Sequence, residues 1–181
     1  MKTFHTALVV VPPEEAWEPI QRIRGRFDRH FRRWMPHLTL LYPFCPRAEF
    51  DDAEVLVRRA CAGITIFEVG LAGFRSFSHG PESHTMWLHP EPAEGFVRLQ
   101  AAVQQAFPDC DDVSRYDSAF TPHLSVGQAR LPRDLEERLK EASAGWSPLR
   151  WTVREVVLAA REGEGAFEID RRVPLGTPAV H

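Results

Sequence analysis

Pro36-His37-Leu38-Thr39-Leu40-Leu41 and Pro122-His123-Leu124-Ser125-Val126 share one pattern: a proline, a histidine, an aliphatic residue and a hydroxyl. Each opens an apolar run short enough to be a strand. Side chains alternate along a strand, so His37 and Thr39 share one face while Leu38 and Leu40 take the other. His123 and Ser125 stand in the same relation, with Leu124 and Val126 behind them. The proline ahead of each histidine restrains the chain at the strand's entrance.

Working outward, residues 4–11 read as a strand. Pro12-Pro13-Glu14-Glu15 then opens a helix, with proline and acids in the first turn. Trp17, Ile20, Ile23 and Phe27 give it one buried face. Residues 37–44 are the second strand. Asp51-Asp52 opens a second helix with Ala53, Leu56, Ala60 and Ile64 on one stripe and Gly63 at its stop. Residues 64–69 read as a buried strand running on toward Phe77. The series then restarts: strand 84–89, helix from Pro92 with Phe96, Leu99, Val103 and Ala106 inward, strand 123–128. Helix 132–144 follows, with Leu135, Leu139 and Ala142 inward and Gly145 closing it. Residues 149–160 read as one long strand and 167–173 as the last.

The order strand, helix, strand, helix, strand therefore occurs twice. His5-Thr6-Ala7-Leu8 resembles His84-Thr85-Met86-Trp87, just as the two proline-histidine stretches resemble each other, which points to an internal duplication. Two similar lobes facing each other would set corresponding strands around a shared groove. No linker or low-complexity stretch divides the chain, so residues 1–181 are expected to form a single domain of two interlocked lobes, with motifs at 37–39 and 123–125.

Composition narrows the function. Hydrophobic residues are 44% and charged residues 26% of the chain, the balance of a globular protein. No run is long and apolar enough for a membrane span and Met1-Lys2-Thr3 begins no signal peptide, so no membrane partner and a cytoplasmic location are expected. Cys45, Cys61 and Cys110 are odd in number and widely spaced, which argues against a disulfide framework or a structural zinc site. The formal charge of −3 disfavours a life on long duplex nucleic acid but leaves room for a short anionic ligand in a local pocket.

Two histidines with hydroxyl companions suit phosphodiester chemistry. Hydrolysis of a cyclic phosphodiester takes one proton from water and gives one to the departing oxygen. An unperturbed imidazole titrates near pH 6.5, so one copy serves as base and the other as acid, each worth roughly 10²–10⁴-fold. The hydroxyls of Thr39 and Ser125 can donate to the non-bridging phosphoryl oxygens, where charge builds. This scheme needs neither metal nor cofactor.

The paired signatures resemble those of the two-histidine phosphoesterase superfamily, and within it the bacterial group of 2′-5′ RNA ligases and RNA 2′,3′-cyclic phosphodiesterases. The resemblance implies an α+β, bilobal fold: two pseudo-symmetric antiparallel β-sheets with outer helices around a central groove. It implies that His37 and His123 are the acid–base pair and that Thr39 and Ser125 bind phosphate. It also implies a substrate that is a small nucleotide or RNA end with a cyclic or 2′-5′ phosphodiester. The cyclic substrate would be left as a 2′-phosphate, with 2′-5′ ligation as the related joining reaction. A monomer is expected. Ser125 departs from the commoner threonine, keeping the hydroxyl but losing the methyl that restrains χ1.

His5 and His84, placed alike by the repeat, are further candidates for substrate contact; His30, His79, His89 and His181 are expected at the surface. Arg22, Arg24, Arg26, Arg29, Arg32 and Arg33 crowd the approach to the first motif, as a solvated face or as a guide for a nucleic-acid strand. Arg75 and Arg161 are candidates for a phosphate contact whose direction the sequence does not fix, and Trp87 and Trp151 are candidates to stack a base. Two other classes of function compete. One is a metal-dependent hydrolase with His5, His37, His84 and His123 as ligands, although no carboxylate or thiolate accompanies them at short spacing. The other is a non-catalytic RNA-binding module, which would not require two proton carriers.

Overall fold

The computed structural model describes residues 1–114 and 120–176. Among them are eight strands and four helices. In chain order these are β1 (Thr6–Val10), α1 (Trp17–Phe27), β2 (Leu38–Leu41), α2 (Phe50–Ala62), β3 (Phe67–Ser78), β4 (His84–Glu91), α3 (Glu94–Ala106), β5 (Leu124–Ala129), α4 (Pro132–Ala144), β6 (Leu149–Val153), β7 (Glu155–Ala160) and β8 (Glu168–Pro174). A 3-10 turn at Glu14–Ala16 leads into α1, where the proline-acid signal sits.

The strands form two antiparallel four-stranded sheets, ordered β2-β1-β7-β8 and β5-β4-β3-β6. The two orders correspond position by position, so each motif strand is an edge strand beside the first strand of its own half. The halves exchange chain. β3, from the first half, joins the second sheet, and β7 and β8, from the second half, complete the first. The long strand expected over residues 149–160 is therefore two strands in two sheets, separated at Arg154, whose carbonyl accepts from Leu175 N–H at 2.8 Å.

Alternation decides what each face does. Leu8 and Val10 of β1 join the main core with Leu38, Leu40 and Leu41, together with Ile20 of α1, Val57 of α2 and Phe96 of α3. Ala7 and Val9 point the other way, into a smaller cluster with Val157, Ala159 and Phe167 that contains no helical residue. The helices thus cover one face of the sheets: α1 lies against β5, α3 against β2, α2 against β8 and α4 against β3, β4 and β5. In α2 the buried stripe is Ala53, Val57 and Cys61; Leu56, expected inward, is exposed, because the contact with β8 and α3 lies on the neighbouring stripe. Among the described residues no helix is long and apolar enough to cross a membrane.

Candidate active site

The two motif strands are built alike to the residue. In one ladder Val10 pairs with Leu38 and Val9 with Thr39; the register then slips, and Leu8 pairs with Leu41. In the other, Leu88 pairs with Leu124 and Trp87 with Ser125; the register slips at the same place, and Met86 pairs with Gly127. An extra residue in an edge strand twists and re-aims it. Here it lies just beyond both hydroxyls, so Thr39 and Ser125 are structural equivalents, as are His37 and His123.

This equivalence corrects one expectation. Val9 matches Trp87, which makes the partner of His5 Ser83 and leaves His84 one residue out of step. His5 lies in the turn just before β1 and is exposed. His84 alternates with Met86 and Leu88 toward the core, where it is buried and its Nε2 has no partner. The likeness of the two tetrapeptides is therefore not a structural repeat, and His84 does not line the motif face.

Both catalytic candidates are held by their own backbone. His37 Nδ1 donates to the Met35 carbonyl at 2.8 Å and His123 Nδ1 to the Thr121 carbonyl at 2.9 Å. A carbonyl only accepts, so the proton of each neutral ring sits on Nδ1 and the lone pair on Nε2. The hydroxyls of Thr39 and Ser125 are half-buried and bond to no other group among the described residues. Each site thus presents a basic nitrogen and an uncommitted hydroxyl donor.

Aromatic walls flank the rings. Trp34 stacks on His37 with centroids 4.3 Å apart and on Phe167 at 3.5 Å. Phe77 and Trp87 stack at 4.7 Å, and His123 meets both edge-on, at 5.0 and 5.8 Å. Burial against these walls disfavours the imidazolium. It pushes His37 down to about 4, opposed by the Met35 hydrogen bond and aided by the charges of Arg24 and His123. Burial likewise lowers His123, opposed by the Thr121 hydrogen bond and aided by His79. Strands β2 and β5 approach within 8 Å between Cα atoms.

Beside His37 lies a buried polar network. Arg24 Nε donates to Asp28 Oδ2 at 2.9 Å with both side chains almost wholly enclosed. Asp28 Oδ1 accepts from Gln128 Nε2 at 3.1 Å and from His30 N–H at 2.9 Å. Gln128 Oε1 in turn accepts from Arg29 N–H at 3.0 Å. The network joins the end of α1 to β5, and so one lobe to the other.

Several residues fall elsewhere than the sequence suggests. Of the histidines expected at the surface, His89 is instead largely enclosed, with its Nδ1 buried and unpartnered. His79, expected at the surface, is exposed yet shares the His123 neighbourhood, with Nε2 3.1 Å from Thr85 Oγ1. Only the β3–β4 register could have shown this. Arg75 pairs with Trp87 in that ladder and so shares its face, 3.7 Å from Glu91. Arg161 is held by the carbonyls of Phe4 at 3.4 Å and Gly163 at 2.6 Å, beside Phe167. Trp151 lies in β6, with its Nε1 buried and unpartnered. His181 lies outside the described residues. No group of three His, Cys, Asp or Glu side chains among the described residues is arranged to hold a metal ion.

A duplicated antiparallel α+β architecture with one His-x-hydroxyl edge strand per sheet defines a class of protein. The chain belongs to the 2′-5′ RNA ligase superfamily, the two-histidine phosphoesterases: that family's model matches residues 12–165. Phosphoesterase-named proteins of Geobacillus kaustophilus and Geobacillus sp. (strain WCH70) are 26% and 28% identical to it over 126 residues, 67% of each chain. In fold it is similar to E. coli LigT in apo form (TM-score 0.65, 17% identity, 97% of this chain and 99% of that one). It is also similar to TT0787 of Thermus thermophilus (TM-score 0.63, 22% identity, 94% and 97%). A LigT structure complexed with 3′-AMP matches with a TM-score of 0.64 at 18% identity, over 94% and 97% of the two chains.

Proposed function

We propose that the protein hydrolyses 2′,3′-cyclic phosphates of nucleotides or RNA ends without a metal, with His37 and His123 as the general acid–base pair. The observation that carries this reading is the matched presentation of the two rings. Each has Nδ1 tied to a main-chain carbonyl and Nε2 left basic, with an unengaged hydroxyl two residues on.

In the proposed step a water oxygen bonds to phosphorus while the bond from phosphorus to O3′ breaks. One Nε2 takes the water proton, and the other ring, arriving as imidazolium, gives its proton to O3′. The product is a 2′-phosphate, and the pair returns to its starting state by exchange with solvent. Thr39 and Ser125 donate to the non-bridging oxygens, where negative charge grows. Burial holds both rings below their ordinary pKa. An anionic phosphate between them offsets the burial cost of charge and so supplies the acid form on binding. With a 5′-hydroxyl in place of water, the same pair serves 2′-5′ joining. The similar fold of LigT in a structure complexed with 3′-AMP supports a nucleotide ligand.

The test is a panel of 2′,3′-cyclic nucleotides and cyclic-phosphate-ended RNA assayed after treatment with EDTA. Chelation-resistant release of 2′-phosphate is expected. His37→Ala and His123→Ala should each lower kcat/KM by roughly 10²–10⁴-fold. Thr39→Val and Ser125→Ala should each cost about 10–100-fold, the worth of a hydrogen bond to a charged group. A double histidine variant as active as the wild type would overturn the proposal. Tight RNA binding without turnover would favour the non-catalytic alternative.

A further inference from the structure

The arginines ahead of the first motif are sorted by the fold. Arg22 pairs with Glu18, Arg26 with Glu141, Arg24 with Asp28 and Arg33 with Glu164. Arg29 and Arg32 are exposed and have no carboxylate partner among the described residues. They open, with His30 and Arg33, onto a cleft of about 420 Å³ whose far wall is the β7–β8 loop at Glu164. Glu164 is the one acid lining it and is shared, 3.0 Å from Arg33 and 3.7 Å from Arg161. Burial lowers the His30 pKa; Asp28 opposes it and the charges of Arg29, Arg33 and Arg24 add to it.

This cleft lies near His37. Arg33 accepts a hydrogen bond from Phe167 N–H at 2.8 Å through its carbonyl. The next residue, Trp34, stacks on both Phe167 and His37. One aromatic stack therefore separates His37 from a pocket with two guanidinium groups free of carboxylates, in a chain whose formal charge is −3. Guanidinium forks suit phosphate oxygens, with two parallel hydrogen bonds for each fork.

We infer that this cleft holds a second, non-reacting phosphate of the substrate, through Arg29 and Arg32, and that the enzyme acts on oligonucleotide ends in preference to cyclic mononucleotides. This rests on the proposed cyclic phosphodiesterase activity and assigns its substrate class. A strand whose terminal phosphate lies between His37 and His123 carries its neighbouring phosphate past Trp34 into the cleft.

The experiment compares kcat/KM for a 2′,3′-cyclic mononucleotide with that for tetranucleotides ending in the same group. The wild type should favour the tetranucleotide by tenfold or more. Arg29→Ala/Arg32→Ala and, separately, Arg32→Glu should reduce that ratio toward one. In parallel, fluorescence anisotropy reads the binding of a 3′-phosphate-ended tetranucleotide against salt. Loss of that one neutralised phosphate should flatten the slope of log K on log salt by about 0.7. Equal wild-type efficiency on both substrates, or an unchanged ratio and salt slope in the variants, would overturn the inference. Should no cyclic substrate turn over, the catalytic reading fails, and the anisotropy slope still decides for or against the phosphate cleft.

Discussion

At the scale of single residues, the proposed chemistry turns on how two imidazoles are kept neutral. Each is clamped at Nδ1 and desolvated by aromatic neighbours, and His37 is also repelled by Arg24 and His123. The sign of the pH dependence follows. The proposed turnover needs one ring protonated and one free, and both protonations are disfavoured by burial. The bell of kcat/KM, which reports the free enzyme, should therefore centre below pH 6.5. The bell of kcat, measured with the phosphate anion bound, should lie at higher pH. Coincident bells centred above pH 7 would contradict the burial argument. Stability carries the same sign. The unfolded chain takes up the His37 proton near pH 6.5 and the folded chain only near pH 4. The folded state is thus fully favoured above 6.5 and loses ground as pH falls toward 4. His37→Gln should flatten the slope of unfolding free energy in that window. At this scale the motif residues were legible, because His37, Thr39, His123 and Ser125 carry their own pattern. His79 was not, since its place depends on a hairpin register that no local signal records.

At the scale of elements, the motif strands are shaped by matching register slips and by what packs beneath them. Gly127 sits at the slip in β5, and a Cβ there would stand 2.6 Å from Phe27 Cβ and 3.2 Å from Met86 Cε. The last residue of α1 thus rests directly on the second motif strand. Gly127→Ala should cost about 1–3 kcal/mol by overpacking, measured by urea unfolding. Gly63→Ala, whose Cβ would meet nothing within 4 Å, is the control. Equal stability of the two variants would show that α1 and β5 are not in tight contact. Helix positions were legible from proline, acid and glycine signals, and α4 spans the expected residues. Two features were not. The break at Arg154 divides a continuous β-branched run between two sheets, and only the other strands decide which half goes where. The inward stripe of α2 was ambiguous because Leu56 and Val57 lie on adjoining stripes and the contact with β8 selects the second.

At the scale of the whole molecule, the exchange of strands makes the lobes inseparable, and a buried ion pair at the end of α1 is hydrogen-bonded to Gln128 of β5. The duplication was readable in the order of elements, but the partner of each strand was not, because pairing of the third strands is long-range. Asp28 is the hub, neutralising Arg24 and accepting from Gln128 of the opposite lobe. Asp28→Ala leaves a guanidinium enclosed without a counter-charge and should cost about 3–5 kcal/mol in unfolding experiments. A loss under about 1 kcal/mol, the range of an exposed pair, would mean that Arg24 is not enclosed. Convergence of the two lobes on one phosphate is tested most directly by following the ¹⁵N signals of both imidazoles while adenosine 2′-phosphate is added at pH 7. The expected result is two neutral Nδ1–H rings in the free protein, whose Nε2 signals both move with a single shared Kd. Response of one ring alone, or of the two with unrelated affinities, would contradict it.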